Sequence, residues 1–150
     1  MKKRIFIFLI ICFSFFIIFS GCSNSKKETL KNGYYTAEKV DYNQGWKEFV
    51  TICVKGEKIV SIEYNAKNES GFIKSWDMAY MRNMNSVQGI YPNKYTRTYG
   101  ANLLETQNSD EIDVITGATE SYVTFKALSN AVLEKAKQGD TSIAFVKVTE

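Results

Sequence analysis

Lys47-Glu48-Phe49-Val50-Thr51-Ile52-Cys53-Val54-Lys55 and Lys58-Ile59-Val60-Ser61-Ile62-Glu63-Tyr64-Asn65 are two alternating runs separated only by Gly56-Glu57. Successive side chains of a strand point to opposite faces, so Val50, Ile52 and Val54 share one side of the first run while Phe49, Thr51 and Cys53 share the other. Val60, Ile62 and Tyr64 repeat the alternation in the second run. Lys55-Gly56-Glu57-Lys58 between them reads as a tight hairpin connection in which glycine supplies the turn. Upstream, Tyr34 to Val40 adds a looser strand, set off by Asp41-Tyr42-Asn43-Gln44-Gly45. The three together predict an antiparallel meander.

Beyond the polar stretch Asn65 to Gly71 the period changes from 2 to about 3.6. Ser75-Trp76-Asp77 opens a helix with Ser75 as its N-cap, and Trp76, Tyr80 and Met84 follow at i, i+4 and i+8, with Met81 and Val87 beside them. Gly89 stops it. Tyr91-Pro92 starts a second helix carrying Tyr95, Tyr99, Leu103 and Gln107, with the proline near the start, where its missing N–H does no harm. Ile112 to Ile115 reads as a short β-like run. A long amphipathic helix comes next, with Tyr122, Phe125, Leu128, Val132 and Ala136 on its inner stripe and Gly139 as its stop. Ser142 to Val148 is expected as a last strand. The expected fold is α+β: an antiparallel sheet, made of the N-terminal meander plus the C-terminal strand, packed with helices.

The chain is 150 residues long with a formal charge of +3. Lys2, Lys3 and Arg4 account for the whole excess, and they precede an apolar run from Ile5 to Phe19 broken only by Ser14. A basic start, an apolar stretch and small residues before Cys22 have the three parts of an export signal. Phe19-Ser20-Gly21-Cys22 resembles a bacterial lipobox, in which the cysteine is lipidated and becomes the new N-terminus; an uncleaved signal anchor is the other reading. Both place the remainder outside the cytoplasmic membrane. Residues 1–21 are thus read as the lipoprotein signal peptide, 22–32 as a lipidated tether and 33–150 as the folded domain. Without its leader the chain is electrically neutral, which removes the charge argument for a nucleic-acid partner. Cys12 leaves with the signal and Cys22 carries lipid, so Cys53 has no internal disulfide partner and is read as a small packed hydrophobe. There is no histidine, which excludes a Ser-His-Asp triad and His-ligated metal. No metal ligands and no catalytic nucleophile-base pair can be picked out.

Asp113-Val114-Ile115-Thr116-Gly117-Ala118-Thr119-Glu120-Ser121 runs from the β-like segment through a tight turn into the long helix. Unpaired N–H groups of a first helical turn, reinforced by the helix dipole, make such a place receptive to an anion such as phosphate. Gly117 and Ala118 let a ligand approach the backbone, and Thr116, Thr119 and Ser121 present three hydroxyls. The plain alternative is a capped helix, with Thr116 or Thr119 as the cap and Gly117 shaping the turn.

The same segment resembles the Asp-x-x-(Ser/Thr)-Gly-Ala-Thr motif of the FMN-binding domain family, which includes flavin-carrying subunits of sodium-pumping NADH:quinone oxidoreductase and its Rnf relatives. Gly45 to Ile52, Lys58 to Tyr64 and Leu103 to Asp113 are similar to the small lipoprotein branch of that family. The resemblance implies that FMN is the cofactor and is joined through its phosphate to Thr119 by a dedicated flavin transferase that takes FAD as donor and needs Mg²⁺. Asp113, Thr116, Gly117 and Ala118 occupy the other motif positions, and Ser121 follows. A threonine without a base is a poor nucleophile, which fits an external modifying enzyme. Trp76, Met81, Tyr91, Tyr95 and Tyr122 are candidates for the apolar bed of the flavin ring, Tyr91 and Tyr122 foremost because they flank the motif-bearing region. The implied protein is a lipid-anchored electron carrier rather than an enzyme with its own substrate. Its partners would be a membrane redox donor and an acceptor that the sequence does not identify. A non-covalent FMN-binding module and a non-redox surface lipoprotein are the alternatives.

Overall fold

The computed structural model describes residues 29–149; Cys22 and the leader lie outside the described residues. In chain order the elements are β1 (Gly33–Lys39), β2 (Lys47–Lys55), β3 (Lys58–Lys67), a 3₁₀ turn (Lys74–Trp76), α1 (Met78–Gln88), α2 (Pro92–Thr106), a second 3₁₀ turn (Ser109–Glu111), α3 (Thr119–Gln138) and β4 (Ala144–Val146). The sheet order is β3-β2-β1-β4. The meander is as expected: β1 pairs antiparallel with β2 (Tyr35 opposite Ile52) and β2 antiparallel with β3 (Ile52 opposite Ile62).

The sheet is mixed, not antiparallel throughout, because β4 runs parallel to β1, with Ala37 opposite Ala144. Helix α3 explains the direction. Its C-terminal end lies at the start of β1, where the Lys31 N–H donates to the Ala136 carbonyl at 2.9 Å. The chain therefore leaves α3 at that end and can only run back along β1 in the same sense. β4 is also shorter than Ser142 to Val148, since the Ser142 N–H is taken by the Asp140 carboxylate in the preceding turn.

The helices cover one face of the sheet. Val50, Ile52 and Val54 lie beneath them with Tyr35 and Ala37 of β1, and α3 adds Phe125, Leu128, Val132 and Ala136, all buried. Full burial of a side chain such as Leu128 stabilises the fold by about 1.5–3 kcal/mol. From α2 come Tyr95, Tyr99 and Leu103, the stripe its spacing predicts. Phe49, Thr51 and Cys53 occupy the other sheet face, half-buried, where the Thr36 and Thr51 hydroxyls meet at 3.0 Å. Also on that face, Glu38 pairs with Lys47 at 3.2 Å and with Lys67, and these two ammonium groups outweigh its burial and lower its pKa.

Two local expectations are corrected. The N-cap of α1 is Asp77, whose carboxylate accepts from the Tyr80 N–H at 2.9 Å, whereas Ser75 is buried in the 3₁₀ turn and accepts from Asn65 Nδ2 at 2.8 Å. Trp76 consequently precedes the helix and is 66% exposed instead of lying on its inner stripe. Ile112 to Ile115 belongs to no strand, because the Ile115 N–H donates to the Tyr99 hydroxyl rather than to a neighbouring strand.

Candidate functional site

The segment ahead of α3 is held from below by one side chain. Tyr99 is fully buried on α2, accepts from the Ile115 N–H at 3.0 Å and donates to the Ala118 carbonyl at 3.1 Å. Its ring stacks on Phe125 of α3 at 5.4 Å between centroids. The turn itself closes through the Ala118 N–H to the Ile115 carbonyl, and Gly117 takes φ +80°. A Cβ at Gly117 would lie 2.9 Å from the Gln88 carbonyl oxygen and 3.0 Å from Ile90 Cγ2, so only glycine fits without displacement.

Ala118 occupies the N-cap position of α3, and no side chain caps the helix. This overturns the plain reading in which Thr116 or Thr119 serves as the cap. The first intrahelical bond at this end is Tyr122 N–H to the Ala118 carbonyl, which leaves the N–H groups of Thr119, Glu120 and Ser121 without intrahelical acceptors. Thr119 is the first residue of the helix and is exposed.

These residues open on a cavity of about 390 Å³, within the size range of small-molecule and cofactor sites. Gly117, Ala118, Thr119, Glu120, Ser121 and Thr124 form its helical wall. Facing them are Trp46 and Glu48 at the start of β2, Lys74 of the 3₁₀ turn, Tyr80, Met84 and Gln88 around α1, and Tyr95 of α2. Trp46 is presented by a two-residue turn in which Asn43 and Trp46 exchange both backbone bonds, with Gln44 at φ +50° and Gly45 at φ +82°. Trp46 and Tyr80 meet edge to face at 6.0 Å, and the Lys74 ammonium lies 4.6 Å from the centre of the Tyr80 ring and 5.9 Å from that of Trp46.

Burial pushes the Glu48 carboxyl above its ordinary pKa, against the Tyr64 hydroxyl, Lys74 and the Thr124 hydroxyl, which all act to lower it. Tyr64 and Tyr95 are raised too, chiefly by burial. Among the described residues no cluster of three or more His, Cys, Asp or Glu is placed to hold a metal ion, and no helix is long and apolar enough to cross a membrane.

The expected site residues divide. Thr119, Gly117, Ala118 and Ser121 come together on the cavity wall, and Tyr95 joins them. Asp113 and Thr116 are exposed and do not line it. Neither Tyr91 nor Tyr122 does, both being half-buried; Tyr122 packs on the Tyr99 ring instead. Trp76 stands outside and Met81 is buried away from it. The aromatic wall comes from Trp46 and Tyr80. Helical spacing with Met84 marks Tyr80 in the sequence, and the Asn-Gln-Gly turn that precedes Trp46 marks the other.

An open helix N-terminus, a glycine in a space that no side chain fits without displacement, a cation and an aromatic wall define a domain built to hold an anionic, ring-bearing cofactor. The family model of the FMN-binding domain matches residues 42–134, and the chain belongs to that family, with FMN as its cofactor. A protein of Treponema pallidum (strain Nichols) named 15 kDa lipoprotein is 36% identical over 125 residues, 83% of this chain and 86% of that one. A crystal structure of a Clostridium perfringens protein matches with a TM-score of 0.76 at 39% identity, covering 80% of this chain and 99% of the other. A solution structure of a Clostridium thermocellum protein matches with a TM-score of 0.52 at 32% identity, over 71% of this chain and 92% of the other. The cavity fits FMN: the bare N–H groups of α3 suit a phosphate, and Trp46 and Tyr80 suit a flat ring.

Proposed function

We propose that this chain is an electron carrier held by lipid on Cys22 to the outer face of the cytoplasmic membrane, with FMN esterified to Thr119. The observation that carries this reading is an exposed threonine hydroxyl at the first position of an uncapped 20-residue helix, on the wall of the cavity that suits the cofactor. Thr119 is the acceptor, not a catalyst. A flavin transferase using FAD and Mg²⁺ forms the bond between Thr119 Oγ and the FMN phosphorus; the pyrophosphate bond of FAD breaks, AMP leaves, and the hydroxyl proton goes to the transferase or solvent. The phosphodiester then keeps one negative charge where the first N–H groups of α3 can donate to it.

When bound, FMN supplies the electron chemistry, and the protein sets its orientation and exposure. Trp46 and Tyr80 bound the space for the ring, Lys74 places positive charge beside it, and the buried Tyr99 fixes the turn that presents Thr119. A membrane reductase is the donor and a partner outside the membrane the acceptor. The test is expression with and without a flavin transferase, followed by denaturation and intact-mass measurement. Flavin mass that survives denaturation and disappears in Thr119→Ala supports the assignment. Flavin still attached in that variant, or wild-type protein that stays unmodified beside an active transferase, refutes it.

A further inference from the structure

Two glutamates of this sheet have opposite surroundings. Glu38, on the open face, is met by two ammonium groups. Glu48, in line with Val50 and Ile52 under the helices, is hydrogen-bonded by hydroxyls, those of Tyr64 and Thr124. Tyr64 Oη lies 2.7 Å from Glu48 Oε1 and 2.9 Å from the carbonyl oxygen of Ser121, in the first turn of α3. A phenol carries one proton. If Tyr64 donates to an ionised Glu48, its lone pairs face the Ser121 carbonyl at 2.9 Å with no hydrogen between them. If it donates to the carbonyl, it faces a carboxylate oxygen at 2.7 Å in the same bare way. A second proton, on Glu48, turns both contacts into hydrogen bonds and leaves no acceptor opposing another.

We propose that Glu48 is held as the neutral carboxylic acid, its O–H donated to the Tyr64 hydroxyl and the Tyr64 O–H to the Ser121 carbonyl, and that this relay makes Glu48 a positioning residue for the turn that carries Thr119. The relay also withholds the charge of Glu48 from the cavity that Thr119 lines, leaving Glu120 as the carboxyl beside it; that part rests on the FMN reading above. The groups that face Glu48 are Tyr64 from β3, the Thr124 hydroxyl from α3, Lys74 from the 3₁₀ turn and Lys39 from β1. Tyr95 of α2 adjoins the same cluster, and Tyr80 of α1 and Glu120 of α3 line the cavity beside it.

Carboxyl ¹³C NMR of the full-length protein in micelles, labelled at the glutamate side-chain carboxyls and free of flavin, tests the protonation directly. One glutamate carboxyl is expected to stay protonated after the others have ionised in the ordinary range. That resonance should be absent in Glu48→Gln, whose amide can still donate to Tyr64, and its midpoint should move in Tyr64→Phe. If every wild-type glutamate ionises together in the ordinary range, or if Tyr64→Phe leaves the midpoint unchanged, the relay is wrong. The wild-type spectrum decides the first point even if a variant does not fold. Added FMN then probes the charge role: as pH rises through that midpoint, wild-type affinity should fall relative to that of Glu48→Gln at the same pH, a comparison from which the titration of the FMN phosphate cancels. Identical profiles overturn the role. Failure of both proteins to bind FMN counts against the FMN reading, and the carboxyl spectrum alone then decides the relay.

Discussion

Replacing Gly117 by alanine imposes two separable costs at the turn that presents Thr119. At φ +80° an L-residue loses about 1–2 kcal/mol to its own Cβ. The same Cβ would also sit 2.9 Å from a backbone carbonyl that cannot swing aside and 3.0 Å from Ile90 Cγ2, and overpacking of this kind costs about 1–3 kcal/mol. The sum, about 2–5 kcal/mol, is a large part of the roughly 5–15 kcal/mol that holds a domain together. Gly89 provides the control. It has φ +68° but nothing within 4 Å of the point a Cβ would occupy, so Gly89→Ala should lose only the backbone part, about 1–2 kcal/mol. Urea unfolding followed by tryptophan fluorescence gives both losses from the midpoint and slope. If Gly117→Ala costs no more than Gly89→Ala, the close approach to Gln88 has no energetic consequence and the turn does not require glycine for lack of space.

Tyr99→Phe should cost about 1–3 kcal/mol, because the Ile115 N–H loses its acceptor and the buried Ala118 carbonyl its donor; it should also slow the flavin attachment proposed at Thr119, and unchanged stability by urea titration would show that the turn is held some other way. Leu128→Ala empties a fully buried position between α3 and the sheet and should lower unfolding free energy by about 2–5 kcal/mol in the same assay. Glu38→Gln should cost about 1–3 kcal/mol at neutral pH, with the gap to wild type closing in acid. The sign follows from the lowered pKa of Glu38, whose stabilisation is present above the unfolded value and lost as pH falls through the folded one. Glu48 has the reverse sign: its raised pKa gives stability that is present in acid and lost as pH rises through the folded value, so Glu48→Gln should flatten that slope in thermal melts taken across pH.

The meander was legible because alternation and a glycine hairpin are local signals, and α2 and α3 because their apolar stripes run for several turns. The direction of β4 was not, since it depends on which end of β1 the preceding helix reaches, and no local pattern records that. Ile112 to Ile115 looked like a strand because its residues suit one; a tyrosine hydroxyl from another helix took the backbone group that a strand would have used. The motif was readable residue by residue, and Thr119 with its neighbours does line a cavity. The opposite wall was hidden. Tyr91 and Tyr122 are close to the motif in sequence, yet Trp46 and Tyr80 are close to it in space, brought there by strand pairing and by the turn at Asn43 to Trp46. Glu48 sat unremarked in an alternating strand because no periodicity separates a carboxyl aimed at a pocket from one aimed at water.

Helix α3 has Thr119 at one end and, at the other, the Lys31 backbone fastened to Ala136. Twenty helical residues span about 30 Å, so the described chain enters the fold at the end of α3 opposite the cofactor cavity. Were the proposed anchor at Cys22 to hold the chain, Thr119 and its cavity would lie at the far end of α3 from the place where the described chain enters the fold.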